Sequence, residues 1–198
     1  QIKMSLEEVI LEGKEYKRKR KEEKKIAKAT TEKNCERNRT FICDFNGDIN
    51  ASGVNSLRQE ISAILTVANK KDTIIVNLES TGGTMHGYGL GASQLQRIKE
   101  HQIKLIVTVD KVAASGGYLM ACVANELIAA PFSIIGSIGV VAQIPNFNKL
   151  LKNKDIDVEL LTAGQYKRTI TMFGENSEEA REKFQDELNV AHEIFKSY

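Results

Sequence analysis

From Thr40 onward the chain alternates short β-branched runs with stretches that carry apolar residues every three or four positions. TFICDFNG (40–47) predicts a strand that ends in a turn. Residues 54–69 place Leu57, Ile61, Ile64, Leu65 and Ala68 on one helical face, and Ser56 with Gln59 has capping-box spacing. TIIVNLE (73–79) is a strand-length apolar run, left through the turn STGGT. Tyr88, Ala92, Leu95 and Ile98 then mark a helix over 85–100. IKLIVTVD (103–110) reads as a second buried strand. DKVAASGG leads into the apolar helix YLMACVANEL, and ELIAAP, SIIGSIGVVAQ and IDVELLTAG read as further strand-like pieces. A last helix spans 177–196, with an acidic first turn and Ala180, Phe184, Leu188, Ala191 and Phe195 on one face. Strands alternating with helices over a length suited to one domain predict an α/β protein.

Charge divides the chain. Residues 1–40 hold 13 Lys+Arg and 8 Asp+Glu, so this part is basic and the remainder is mildly acidic. GKEYKRKRKEEKKIAKATTEKNCERNR (13–39) has too few apolar residues to build a core, which makes residues 1–40 a charged arm or tether, partly helical or disordered. Its interleaved acidic residues oppose phosphate, so nucleic acid is not an expected partner. Leu127–Asn148 contains no charge, but its prolines, glycines and amides suit a membrane helix poorly. A buried core segment is the expectation there. Three cysteines, Cys35, Cys43 and Cys122, have neither disulfide nor metal spacing. HExxH, GxxxxGK[ST] and strand-borne GxGxxG motifs are absent, so no metal or cofactor is expected.

Three segments carry candidate chemistry. Ser80-Thr81-Gly82-Gly83 lies between a strand and a helix, where glycine N–H groups can approach developing negative charge; a plain turn is the alternative. Ala113-Ala114-Ser115-Gly116-Gly117 has the logic of a nucleophile elbow without the GxSxG pattern; an N-cap serine is the alternative. Thr162-Ala163-Gly164-Gln165-Tyr166-Lys167-Arg168 follows a strand-like piece. Its lysine is an ordinary surface charge unless buried beside Ser115, where a neutral amine can serve as a general base.

HGYGLGASQLQRIK, TVDKVAASGGYLMACVANE, APFSIIGSIGVVAQIPNFN and TAGQYKRT, in this order, resemble the peptidase S49 family of signal peptide peptidases, of the Clp protease/crotonase superfamily. The resemblance covers residues 41–198. It implies an α/β fold of repeated β-β-α units and a serine endopeptidase with a Ser-Lys dyad. Carried over motif by motif, Ser115 is the nucleophile, Lys167 the general base, and the Gly83 and Gly116 amides the oxyanion hole. Ser137, in GSIG, orients the lysine. The resemblance further implies a homo-oligomer whose dyad is shared between subunits, and apolar, extended peptide substrates such as remnant signal peptides. It also implies a bacterial inner-membrane location, with the catalytic domain on the periplasmic side and a membrane segment outside this chain.

Two departures accompany the resemblance. Thr81 stands where the family usually has proline, which loosens the turn. The family's later segment has no counterpart before Tyr198, so 41–198 reads as a catalytic domain incomplete at its C-terminus. Rival readings are a Clp-type Ser-His-Asp protease, with His86 the histidine nearest the candidate segments, and a crotonase-like acyl-CoA enzyme using Glu79. A non-catalytic scaffold of the same fold is the third.

Overall fold

The computed structural model describes residues 38–164 and 169–198. The charged arm up to residue 37, with Cys35, and Lys167 lie outside the described residues. Thr40–Tyr198 forms one compact unit.

Six strands make one parallel sheet: β1 (Thr40–Gly47), β2 (Thr73–Ser80), β3 (Lys104–Val109), β4 (Val112–Ala114), β5 (Glu126–Ala129) and β6 (Ile134–Gly136). The centre is β2. One of its edges pairs with β1 along its whole length, from Thr40↔Thr73 to Gly47↔Ser80. The other edge pairs first with β3 over Thr73–Asn77 and then, at Ser80↔Ala113, with β4. Outside these, β5 pairs with β3 and β6 with β4. The α/β expectation holds, and two consecutive strands precede a helix twice, at β3-β4 and β5-β6.

Parallel pairing requires crossovers, and helices supply them. Three do so, α1 (Val54–Leu65), α2 (Met85–Glu100) and α3 (Gly116–Cys122), while α4 (Asn148–Lys152) and α5 (Glu178–Lys196) follow the last described strand. Cys43 and Phe45 of β1, Ile74, Val76 and Leu78 of β2, and Leu105, Val107 and Val109 of β3 are buried in one cluster with Leu57 and Ile61 of α1 and with Tyr88, Ala92, Leu95 and Ile98 of α2. Every apolar position that marked α2 in the sequence is in this core. The intervening strand residues face the other way, since successive side chains alternate. Ile42 there is 65% exposed. A polar ladder crosses that open face: Asn77 Nδ2 donates to Asp44 Oδ1 at 2.7 Å, and Thr108 Oγ1 donates to Asn77 Oδ1 at 2.7 Å.

Four local expectations are corrected. The capping box at Ser56 does not form: α1 starts at Val54 with Gly53 as its N-cap, so Ser56 already lies inside the first turn. The apolar helix ends at Cys122, and Glu126 opens β5. IDVELLTAG is not a strand, because among the described residues no neighbouring strand offers it a ladder of hydrogen bonds; Leu161 is 90% exposed. The uncharged run 127–148 is not buried core: Phe132 is 99% and Val141 90% exposed. Among the described residues, no helix is long and apolar enough to cross a membrane.

Candidate active site

The pairing Ser80↔Ala113 aligns the carboxyl ends of β2 and β4, so the turns that leave them meet. Such a crevice beyond the strand ends is where open α/β sheets place their sites. Gly82 has φ +87°, and a Cβ on it would stand 2.7 Å from the Ala114 carbonyl and Gly116 nitrogen and 2.8 Å from Ser115 Cβ. Only glycine fits both the conformation and the approach. At Gly83 an added Cβ would fall on the Ile49 carbonyl, whose oxygen accepts the Thr84 N–H at 2.8 Å.

Ser115 has φ 50° and ψ −122°, outside the regions open to an ordinary L-residue. It occupies the N-cap position of α3 but makes no side-chain capping bond, which removes the N-cap account of the residue. Its N–H donates to the Gly136 carbonyl at 2.8 Å and its carbonyl accepts the Leu119 N–H at 2.9 Å, so the backbone is held at both ends. The hydroxyl has no hydrogen bond among the described residues. This is elbow geometry, with the chain pinned in a strained turn and the side chain left free.

Ser137 follows the Gly136 carbonyl that holds Ser115; it is exposed and has φ 57°. The Gly83 and Gly116 N–H groups make no hydrogen bond to a described residue. A cavity of about 320 Å³ opens beside them, lined by Ser115, Gly83 and Gly116 together with apolar side chains that include Leu119, Val140 and Phe195. The structure thus brings together Ser115, Gly83 and Gly116.

The residues of the rival readings lie elsewhere. His86 is exposed at the start of α2, and His101 Nδ1 is 2.8 Å from the Arg97 carbonyl. Glu79 is taken up by Lys111, 3.1 Å away. Ser115 makes no hydrogen bond to a described histidine.

Two features escaped the sequence. Ile194, Phe195 and Tyr198, in and just beyond α5, reach the cavity, although the sequence showed only an amphipathic stripe with no stated target. Tyr88, which reads as one more core position, carries a hydroxyl in a buried network with Ser80. The polar tip of a tyrosine in a core stripe was the available signal, because such a group must find a partner when buried. Burial raises the Tyr88 pKa, and the Ser80 hydrogen bond opposes this.

The fold is a parallel α/β sheet that brings Ser115, Gly83 and Gly116 together beyond its strand ends. Two family models match the chain, Peptidase family S49 N-terminal over residues 1–95 and Peptidase family S49 over residues 97–198. The chain belongs to peptidase family S49. A protein of Buchnera aphidicola subsp. Acyrthosiphon pisum named "Probable protease SohB" is 65% identical over 158 residues, which is 80% of this chain and 47% of that protein. One of the same name from Haemophilus influenzae is 58% identical, covering 80% of this chain and 45% of its own length. The chain therefore spans about half the length of the curated relatives it matches. Among solved structures, a mutant of the 1510-N membrane-bound stomatin-specific protease, in complex with a substrate peptide, is 22% identical with a TM-score of 0.44, over 56% of this chain and 48% of that one. A ClpP protease catalytic domain from Plasmodium falciparum is 13% identical with a TM-score of 0.36, over 44% and 53%.

Proposed function

We propose that this chain is catalytic sequence of a serine endopeptidase that cleaves apolar, extended peptides, remnant signal peptides among them. The observation that carries the reading is the convergence on one apolar cavity of Ser115, strained at its backbone, with two glycine amides, none of the three hydroxyl and amide groups being hydrogen-bonded among the described residues. In the mechanism, neutral Lys167 takes the proton of Ser115 Oγ as the oxygen attacks a peptide carbonyl. The Gly83 and Gly116 amides stabilise the resulting oxyanion, and one such donor is worth about 2.7–4 kcal/mol. The lysine returns the proton to the leaving amine, and a water activated by the same lysine hydrolyses the acyl-enzyme. Ser137 orients the lysine amine.

Family resemblance supports the roles of Lys167 and Ser137, a dyad shared between subunits, and a place at the periplasmic face of a bacterial inner membrane. The exposure of large apolar side chains such as Phe132, Val141 and Leu161 adds support for assembly, since apolar groups left open to water gain free energy when covered.

Fluorophosphonate labelling tests the reading. Ser115 is the expected site of modification, and Ser115→Ala should remove labelling and lower peptide turnover by about 10⁶-fold. Lys167→Arg should also be inactive, because guanidinium stays protonated. Mixing Ser115→Ala with Lys167→Ala chains should restore part of the activity at junctions that hold an intact pair. Labelling of another serine, or an active arginine variant, overturns the dyad. Exchanged mixtures that assemble but remain inactive place the dyad within one chain.

A further inference from the structure

One buried side chain touches both glycine segments of the site. Tyr88, on the first turn of α2, is 0% exposed. Its O–H donates to the Asp48 carbonyl at 2.7 Å. With that proton used, the phenolic oxygen accepts the Ser80 O–H across 2.5 Å. Ser80 Oγ in turn accepts the Gly82 N–H at 3.0 Å. The Gly47 carbonyl, 3.3 Å from Ser80 Oγ, is a longer alternative for the serine proton. The chain of bonds occupies the first glycine amide of the turn and leaves that of Gly83 as the donor without a partner among the described residues. The tyrosine ring meanwhile fills the space beside Gly116, where an added Cβ would fall on its carbons.

We infer that Tyr88 is the positioning residue of the oxyanion site, its hydroxyl fixing the Gly82–Gly83 turn through Ser80 and its ring seating Gly116. The inference rests on the proposed roles of Ser115 and the two glycines. Its physical basis is that oxyanion donors act through preorganisation, and a misplacement of about 1 Å near the reacting atoms costs about 10²-fold. Asp48 is held as an anchor for the chain by its own loop: the Ser52 N–H and O–H each donate to its carboxylate at 2.8 Å.

Tyr88→Phe keeps the ring and removes the hydroxyl, while Ser80→Ala removes the acceptor of the Gly82 amide. Both should lower kcat about tenfold or more with KM changed less than about twofold, and slow fluorophosphonate labelling of Ser115 by the same factor as kcat. Amide hydrogen exchange at Gly82 should quicken about tenfold or more in each, with the middle of α2 unchanged. If Gly82 exchange stays at the parent rate in Tyr88→Phe, whatever Ser80→Ala does, the tyrosine hydroxyl is not what holds the turn and the inference is overturned. If exchange quickens while kcat and labelling do not change, the chain holds the turn without serving catalysis, and the inference is overturned as well. Failure of the dyad reading is seen separately, as a parent chain whose Ser115 does not react although Gly82 exchange responds. Should Tyr88→Phe not fold, Ser80→Ala alone gives the exchange and the kcat–KM split.

Discussion

Residues 40–124 and residues 125–198 both contain long apolar side chains, yet the two regions dispose of them in opposite ways. Every buried hydrophobic side chain among the described residues lies between Cys43 and Val123. Beyond that point Phe132, Val141 and Leu161 are 90% exposed or more, and α5 buries no residue fully. The first region therefore closes its own core and holds Ser115, Gly83 and Gly116 on rigid strand ends. The second supplies Ser137 and part of the cavity wall, and Lys167 belongs to it in sequence, but its described residues form no core of their own. A surface of that kind gains free energy when something covers it. The proposal that the base arrives across a subunit interface puts the covering and the chemistry in the same place.

The contrast breaks first at a buried leucine. Leu105, 0% exposed in β3, should cost about 2–5 kcal/mol on replacement by alanine, read from urea unfolding. A loss under about 1 kcal/mol would mean that the first region is not the stable base described above.

A smaller effect comes from Cys43, 4% exposed in the same core. Burial first, and then the Glu60 carboxylate, push its thiol up to about 11. The folded state thus keeps the proton to higher pH than the unfolded chain. The contribution is fully present below about pH 9 and is lost as pH rises through about 11. At the linkage value of about 1.36 kcal/mol per pKa unit, the loss is on the order of 3 kcal/mol. Cys43→Ala should flatten that alkaline slope in stability measured from pH 8 to 11; an unchanged slope would assign it to other groups.

The strands and helices of the first region were legible because their patterns are resolved inside the chain. TFICDFNG is β1 over the span expected, and the stripe Tyr88–Ala92–Leu95–Ile98 is buried as a unit. The α/β class and the family followed from those patterns and from the long motifs around Ser115. The convergence of Gly83 and Gly116 on one cavity was legible through the motifs, whereas the strain at Ser115 was not, because no residue pattern encodes φ directly. The second region misled for a physical reason. Apolar β-branched runs such as IDVELLTAG signal burial, but a sequence does not say against what. With no strand beside it among the described residues, that run stays irregular. The Tyr88–Ser80 link was equally hidden, since it depends on a hydroxyl placed by the packing of α2 against α1, α3 and β3.

Leu161 gives the smallest effect on the folded chain and the finest reading of the comparison. It is 90% exposed, so Leu161→Ala removes almost no contact within the chain and should alter unfolding free energy by less than about 0.5 kcal/mol. The same substitution should matter where chains meet. Burying one leucine side chain is worth about 1.5–3 kcal/mol, and part of that is forfeited per interface when alanine replaces it. The concentration at which oligomers form, followed by sedimentation velocity, should rise about tenfold, with peptide turnover lost at correspondingly higher protein concentration on dilution. Leu161→Glu should act more strongly, because it places an unpaired carboxylate in the same contact. The two readouts separate the regions: Leu105→Ala lowers stability at every concentration, while Leu161→Ala lowers activity only where association limits it. If the Leu161 variants associate and turn over like the parent chain at every dilution, this part of the second region is not at the proposed subunit contact.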